Sequence, residues 1–333
     1  MKTQKILKTF TLLFVMTLVS FSCSDDDDNT PVNRPLNIVE TAQANNLNIL
    51  VQAAIQADLV DALTAAGDKT VLAPTDEAFT TFLANKGFNS LSEVPNDVLA
   101  QILLNHVIAG ANIESSALIG NTGYTNTLAD GPNSTKLSLY YDGTSGVVFN
   151  GVSEVIVPDV NTSNGIVHVV DQVIDLPTIA TFATSNTALE DLVSALALAD
   201  TGLPTVNWIN TVSGLENADL APFTVFAPTN TAFDNLLLEL DSTGNTGLGD
   251  LDASLVDLVL QVHVVADANV QSSQLGSLNG VIPTIGADLS LSGTTITDEN
   301  NRDINILAPD LVNIQAVNGV VHVIDRVILP FLP

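Results

Sequence analysis

The chain has 333 residues, with 9 Lys/Arg against 37 Asp/Glu, a formal net charge of -28 and a single cysteine. That balance makes nucleic acid and anionic lipid headgroups poor partners, because both need concentrated positive charge. One cysteine also excludes a disulfide framework within the chain. Aromatic residues are only 5% and charged residues 14%, so the core must be aliphatic, too apolar for disorder and too large for one comfortable domain.

Lys2, Lys5 and Lys8 precede an apolar run from Leu12 to Phe21. A basic stretch followed by an apolar run of this length reads as a secretory signal over residues 1–22, short for a transmembrane helix. Its end, Leu18-Val19-Ser20-Phe21-Ser22-Cys23, resembles a bacterial lipobox, although Phe21 is bulkier than that pattern usually carries. The resemblance implies that Cys23 is acylated and becomes the mature N-terminus. An ordinary signal peptide with an incidental cysteine is the other reading. Residues 23–34 form an acidic tether containing Ser24 and Asp25 to Asp28. Ser-Asp-Asp behind a lipid-bearing cysteine is similar to the surface-export signal of Bacteroidetes-type lipoproteins. It implies an exported, lipid-anchored protein on the outer face of the outer membrane. Adjacent aspartates lack the spaced ligands and glycine turn of a calcium loop, so no metal is assigned here.

The first folded stretch is 35–177. Apolar residues at Ile49, Ala53, Leu59 and Leu63 predict one helix from Ile49 to Ala65, ending at Gly67. Thr70 to Ala73 reads as a short buried strand. Pro74-Thr75-Asp76 resets the chain into a helix capped by Thr75 or Asp76, with Ala78, Phe79, Phe82 and Leu83 inward. A further helix follows Pro95-Asn96, with Val98, Leu99, Ile102 and Leu103 at core spacing. From Thr122 the pattern changes to short alternating β-branched runs: Lys136 to Tyr141, Val147 to Asn150 and Ile166 to Ile174. Helices followed by a mostly antiparallel meander predict an α+β domain.

Residues 178–333 repeat that order. Leu189, Leu192, Val193 and Leu196 mark an early helix, and Leu251, Leu255, Leu258 and Val259 a later one. Leu289 to Ile296 and Ile304 to Leu307 flank a polar hairpin tip at Asp298-Glu299-Asn300-Asn301. Gly244 to Gly249 looks like a local insertion. The two stretches join through Leu176-Pro177-Thr178 without a Gly/Ser linker, which predicts a fairly rigid connection. Duplication is explicit. TVLAPTDEAFTTFL from Thr70 returns as TVFAPTNTAFDNLL from Thr224, and NGIVHVVDQVI from Asn164 returns as NGVVHVIDRVI from Asn318, at one shared offset.

All four histidines recur in corresponding places, His106 with His263 and His168 with His322. Each is flanked by Val, Ile or Asn, and no His-x-x-x-His or Cys/His cluster exists. They read as structural histidines whose neutral rings tie loops to the sheet. There is no Gly-x-Ser-x-Gly elbow, phosphate loop or dinucleotide turn, so no catalytic residue and no cofactor are assigned.

The repeated segments carry a resemblance. TVLAPTDEAF and TVFAPTNTAF resemble the first signature of fasciclin-type (FAS1) domains, and the two Asn-Gly-led segments resemble the second. LLNHVIAG and LQVHVVAD match the histidine segment between them. The resemblance covers nearly everything after Pro35. It implies two α+β domains, each a β-wedge or meander of about seven strands covered by helices. Asn230 stands where the first copy has Asp76, and Val262 where it has Asn105, departures that bear on local capping and hydrogen bonding. Members of the family act in cell adhesion, so the resemblance implies a surface-anchored, non-enzymatic adhesion or interaction protein with an extracellular protein or glycan partner. In some members a Pro-Asp-aliphatic segment before the second signature is implicated in integrin binding. The matching places, Pro158-Asp159-Val160 and Pro309-Asp310-Leu311, make Asp159 and Asp310 candidate partner contacts. A turn in which Asp bonds its own backbone is the plainer reading. The alternative function is a carbohydrate- or small-ligand-binding lipoprotein supporting uptake or degradation, for which Trp208, Tyr124, Tyr140 and Tyr141 are the few aromatic candidates.

Overall fold

A computed structural model describes residues 34–331, so the signal segment, Cys23 and all of the tether except Arg34 lie outside the described residues. In the first copy, helices Ile38–Ala44, Asn48–Gln56 and Val60–Thr64 lead into strand β1 (Lys69–Pro74). Helices Asp76–Asn85 and Asn96–Leu104, strand β2 (Val107–Ala109) and the short helix Ser115–Leu118 follow. Then come β3 (Thr122–Asp130), β4 (Lys136–Asp142), β5 (Val148–Phe149), β6 (Ser153–Thr162) and β7 (Gly165–Val170). All seven form one sheet in the order β2-β1-β7-β6-β5-β4-β3.

The single helix expected over Ile49 to Ala65 is broken. Asp58 adopts a left-handed backbone (φ 57°), and the Leu59 N–H folds back onto the Ala54 carbonyl. Aspartate is among the few non-glycine residues that tolerate this conformation, and it turns the last piece toward the sheet. The other helix ends follow local chemistry: the Thr75 hydroxyl accepts the Ala78 N–H, as Thr229 does for Ala232. Val98, placed on the core face by spacing, is instead exposed, while Leu99, Ile102 and Leu103 are buried.

The meander is not wholly antiparallel. At its centre β1 lies parallel to β7, with Leu72 opposite His168. Period-two alternation then sends Val71, Ala73, Val167 and Val169 into the helix-covered core, and Leu72 and Val170 into a second core with Leu139, Phe149 and Ile174. Central strands buried on both faces read as near-continuous apolar runs, which is why the repeated motifs are so rich in valine and isoleucine.

The second copy begins with helices Ile179–Ser185, Glu190–Asp200 and Trp208–Val212, strand β8 (Phe223–Pro228) and helices Asn230–Leu240 and Ala253–Gln261. Strands β9 (Val264–Val265), β10 (Val281–Pro283), β11 (Asp288–Ser292), β12 (Thr295–Thr297), β13 (Asp303–Asn305), β14 (Ile314–Ala316) and β15 (Gly319–Ile324) complete it. β15 is parallel to β8, with His322 opposite Phe226. Here the strands fall into two four-stranded sheets, β14-β15-β8-β9 and β10-β11-β12-β13. The single long β6 of the first copy has become two short strands, with Pro309 in the interruption. The Ala253–Gln261 helix buries a face other than the one read from spacing. Leu258 is exposed, and Val256, Asp257 and Leu260 point inward. Asp257 is buried because it accepts the indole N–H of buried Trp208 at 2.8 Å and the Gln261 amide at 2.9 Å.

The residues from Pro35 onward form one compact unit. Alternation along the β3–β4 ribbon supplies the joint. Its outer face turns Tyr124 and Tyr140 onto the second copy, where Tyr140 is fully buried among Ile179 and Phe182. Tyr124 meets the Phe182 ring edge-on at 5.7 Å and accepts a hydrogen bond from the Asn186 amide. The Gln315 N–H donates to the Ser138 hydroxyl at 2.9 Å, and the Val317 N–H to the Pro177 carbonyl.

Truncating such a ring removes a large buried apolar group and leaves a cavity. Tyr140→Ala is expected to lower stability by roughly 3–5 kcal/mol. Trp208 is the sole tryptophan and lies in the second copy, so its fluorescence during denaturant unfolding reads the effect across the joint. An unchanged Trp208 transition would show the copies to be energetically independent.

Candidate functional site

The polar residues of the repeated motifs are taken up by the backbone, in matching fashion. The Asn164 side chain accepts the Ile38 N–H and donates to the Leu63 and Ala65 carbonyls. Asn318 accepts the Ile179 N–H and donates to the Val212 carbonyl. Each asparagine ties two N-terminal helices to the sheet. The glycine that follows is required by crowding: a Cβ on Gly165 would lie 2.3 Å from the Lys69 carbonyl oxygen, and one on Gly319 2.2 Å from that of Phe223. At the other end of the motif, Asp171 accepts the Glu154 N–H and Asp325 the Asn305 N–H. Thr70 and Thr224 each bridge a loop, donating to Ala111 or Ala268 and accepting from Ile113 or Val270.

The histidines follow the same pattern. His106 directs Nδ1 at the Ile102 carbonyl (2.7 Å) and accepts the Ile174 N–H at Nε2 (2.9 Å). His263 does so with Val259 and Ile328. His168 reverses the roles, accepting the Asp159 N–H at Nδ1 and donating Nε2–H to Ile113, and His322 does the same with Asn313 and Val270. A ring nitrogen that accepts an amide N–H carries no proton, so each ring is held neutral in one tautomer. Burial pushes His106 and His263 down to about 4 and lowers His322 as well, against the opposing pull of their carbonyl partners. Among the described residues, no group of three or more His, Cys, Asp or Glu could hold a metal ion.

The two candidate aspartates occupy different places. Asp159 sits at a bulge of β6 with a left-handed backbone (φ 59°) and accepts the N–H and hydroxyl of Ser115, at 2.8 and 2.5 Å. Burial opposes ionisation there, but the N–H and hydroxyl bonds from Ser115 outweigh it and hold the carboxyl below its usual range. Its counterpart is Asn313 rather than Asp310. Asn313 has φ 58°, donates its N–H to His322 and pairs with the N–H and hydroxyl of Ser272. Three extra residues lie between Asn305 and Asn313 compared with Glu154 and Asp159, and they carry Asp310 onto an exposed turn. The Pro-Asp match in sequence therefore aligns residues that the fold separates.

Sequence reasoning did not single out Ser115, Ser272, Thr70, Thr224, Asn164 or Asn318 as structural pairs. Their signal was present, because each pair recurs at the offset of a neighbouring motif. The two departures are local: Asn230 still accepts a helix-start N–H, from Asp191, as Asp76 does from Ile49. Val262 loses the bonds Asn105 makes to Asp175 and Thr127.

The residue that binds Ser115 also fixes what lies beyond it. Together Asp159 and His168 pin the segment Ile113 to Leu118, which forms one wall of a crevice between that segment and the inner face of the β3–β4 ribbon. Of the aromatic candidates, Trp208 and Tyr140 are buried, Tyr124 turns its ring to the joint but also borders this crevice, and Tyr141 lines it.

Two α+β units of this architecture, with a histidine and an Asp/Asn stapling the central sheet, match the Fasciclin domain pattern at residues 45–177 and 201–330. The chain belongs to the fasciclin domain family and carries two copies. It is 37% identical over 144 residues to Protein sll1483 of Synechocystis, covering 42% of this chain and 73% of that one. It is 26% identical over 304 residues to human Periostin, covering 86% of this chain but only 30% of Periostin. Cell surface glycolipoprotein MPT83 of Mycobacterium tuberculosis is 33% identical over 155 residues, 46% of this chain and 60% of that one. Among the described residues no helix is long and apolar enough to cross a membrane.

Two outcomes follow from the staples. Asp159→Asn reproduces the Asn313–Ser272 arrangement and should change stability by less than about 1 kcal/mol. Asp159→Ala loses both bonds and a residue suited to positive φ, and should cost roughly 2–3 kcal/mol. Denaturant midpoints of both variants decide the point, and equal losses would contradict it. The second outcome concerns pH. An unfolded histidine takes up its proton near 6.5, whereas folded His106 and His263 resist until about 4. Their stabilisation is full above pH 6.5 and lost as pH falls toward 4, by up to roughly 3 kcal/mol per ring. The urea midpoint should fall between pH 7 and 5, and His263→Gln should flatten that slope.

Proposed function

We propose that this chain is a surface-anchored, non-enzymatic adhesion or interaction protein. Residues 1–22 direct export, an acyl group on Cys23 holds it to the outer membrane, and 23–34 is the tether. The domains at 35–177 and 178–333 face outward toward an extracellular protein or glycan. One observation supports this above the rest: the recurring histidines, asparagines and aspartates of both copies are engaged with backbone groups. That leaves recognition, rather than bond-making, to surfaces that differ between the copies. The relative named as a cell surface glycolipoprotein supports the anchoring. Within this reading Asp310, exposed on its turn, is the carboxylate available to a partner's cation, while Asp159 is already half engaged by Ser115.

The test compares cells producing the full chain with cells producing Cys23→Ala. Antibody should label intact cells of the first and not the second, and adhesion to glycan- or matrix-coated surfaces should follow the label. Labelling that appears only after permeabilisation would refute surface display. Adhesion unchanged in cells lacking the protein would refute the adhesive role.

A further inference from the structure

The crevice at the mouth of the sheet occurs in both copies, and only one of them has room for a ligand. In the first copy it measures about 210 Å³, in the second about 50 Å³. The walls correspond. Thr70 and Thr224 bridge the same loop, to Ile113 and Val270, and pair across the sheet with Ile108 and Val265. Leu118 and Leu275 sit three residues after the stapled Ser115 and Ser272. The difference lies in the remaining wall. The second copy closes its crevice with Leu278, Ile282 and Pro283. In the first, Thr125 and Tyr141 line it, above a floor that includes Phe149.

These two side chains share the inner face of the β3–β4 ribbon, opposite the face that carries Tyr124 and Tyr140 to the joint. Gly123 lies directly across from Tyr141, and a Cβ there would sit 2.9 Å from the Tyr141 hydroxyl, so glycine leaves the ring its space. Neither the Tyr141 nor the Thr125 hydroxyl bonds to another described residue. No charged side chain lines the crevice. Its opposite wall is fixed by Asp159 and His168, so the space exists before any ligand arrives. A dry apolar cavity of about 150 Å³ is enough to hold benzene, so this one accommodates a six-membered ring with substituents.

We infer that the first domain binds an uncharged, hydroxylated ring of pyranose size in this crevice, its apolar face on Phe149 and Leu118 and its hydroxyls on Tyr141 and Thr125. Apolar contact with a few placed hydroxyls is the usual form of a small-ligand site, and the absence of a cation in the walls disfavours anions. The site stands on its own geometry and does not depend on the adhesive reading above.

The test uses the described tandem, residues 34–331, with methyl-labelled Ile, Leu and Val observed by NMR. Methyl glycosides of glucose, galactose, mannose and fucose are titrated singly, with benzoate as an anionic ring of similar size. At least one glycoside should shift Ile113 and Leu118 methyls, with a dissociation constant of about 1 mM, and benzoate should not. Tyr141→Phe and Thr125→Val keep the shape and remove only unengaged hydroxyls. Together they should weaken binding by about tenfold or more, with the melting temperature unchanged. Equal affinity for the matching disaccharide glycoside identifies the end of a glycan chain as the source, and rejection of the disaccharide identifies the free sugar. The inference is overturned if no glycoside moves these methyls, if benzoate competes equally, or if the double variant binds as tightly as the parent.

Discussion

In each copy the strand that opens the sheet lies parallel to the strand that closes it, β1 beside β7 and β8 beside β15, so segments from opposite ends of the copy must meet before a core exists. Parallel neighbours need a long crossover, and everything between the two strands is that crossover. Helices cover one face and the meander covers the other, which buries both central strands on both sides. The polar side chains of the repeated motifs serve this pairing. Asparagine ties the leading helices to the closing strand, and the histidine of that strand ties the loop after β2 to the bulge of β6.

The staples also explain how one scaffold supports two different surfaces. Because the histidines hold the crossover by backbone groups, His168 and His322 with an Asp or Asn beside them, side chains that face away from those bonds can change at little cost. The second copy uses this freedom to divide its sheet in two and to fill its crevice with leucine and isoleucine. The first keeps one continuous sheet, whose β3–β4 ribbon serves two ends through simple alternation. Tyr124 and Tyr140 join the copies into one unit, and Thr125 and Tyr141 line an open crevice. Shifting the register of that ribbon by one residue would exchange the two sets.

The gross plan was legible because its signals are local or repeated. The helix cap at Thr75, the apolar runs of β7 and β15, the polar tip at Asp298 to Asn301 and the duplication itself all read directly from residue order. Several details resisted for physical reasons. The break at Asp58 turns on a left-handed backbone that aspartate permits but does not require. The buried face of Ala253–Gln261 is chosen by Trp208, which needs an acceptor and draws Asp257 inward against its charge. Asp159 and Asn313 keep the offset of the repeated motif that follows them, but three extra residues upstream shift the second Pro-Asp dipeptide out of that register and drew Asp310 into the pairing instead.

The sequence by itself determined two copies of one α+β plan and an aliphatic core. Those follow from composition, periodicity and repetition, which act along the chain. Only the tertiary structure decided which residues meet across the sheet, that the copies share a buried joint, and that one crevice is open while its twin is closed. Such outcomes depend on volume and hydrogen-bond geometry between residues far apart in sequence, and on whether Leu278 and Ile282, or Thr125 and Tyr141, face the same space.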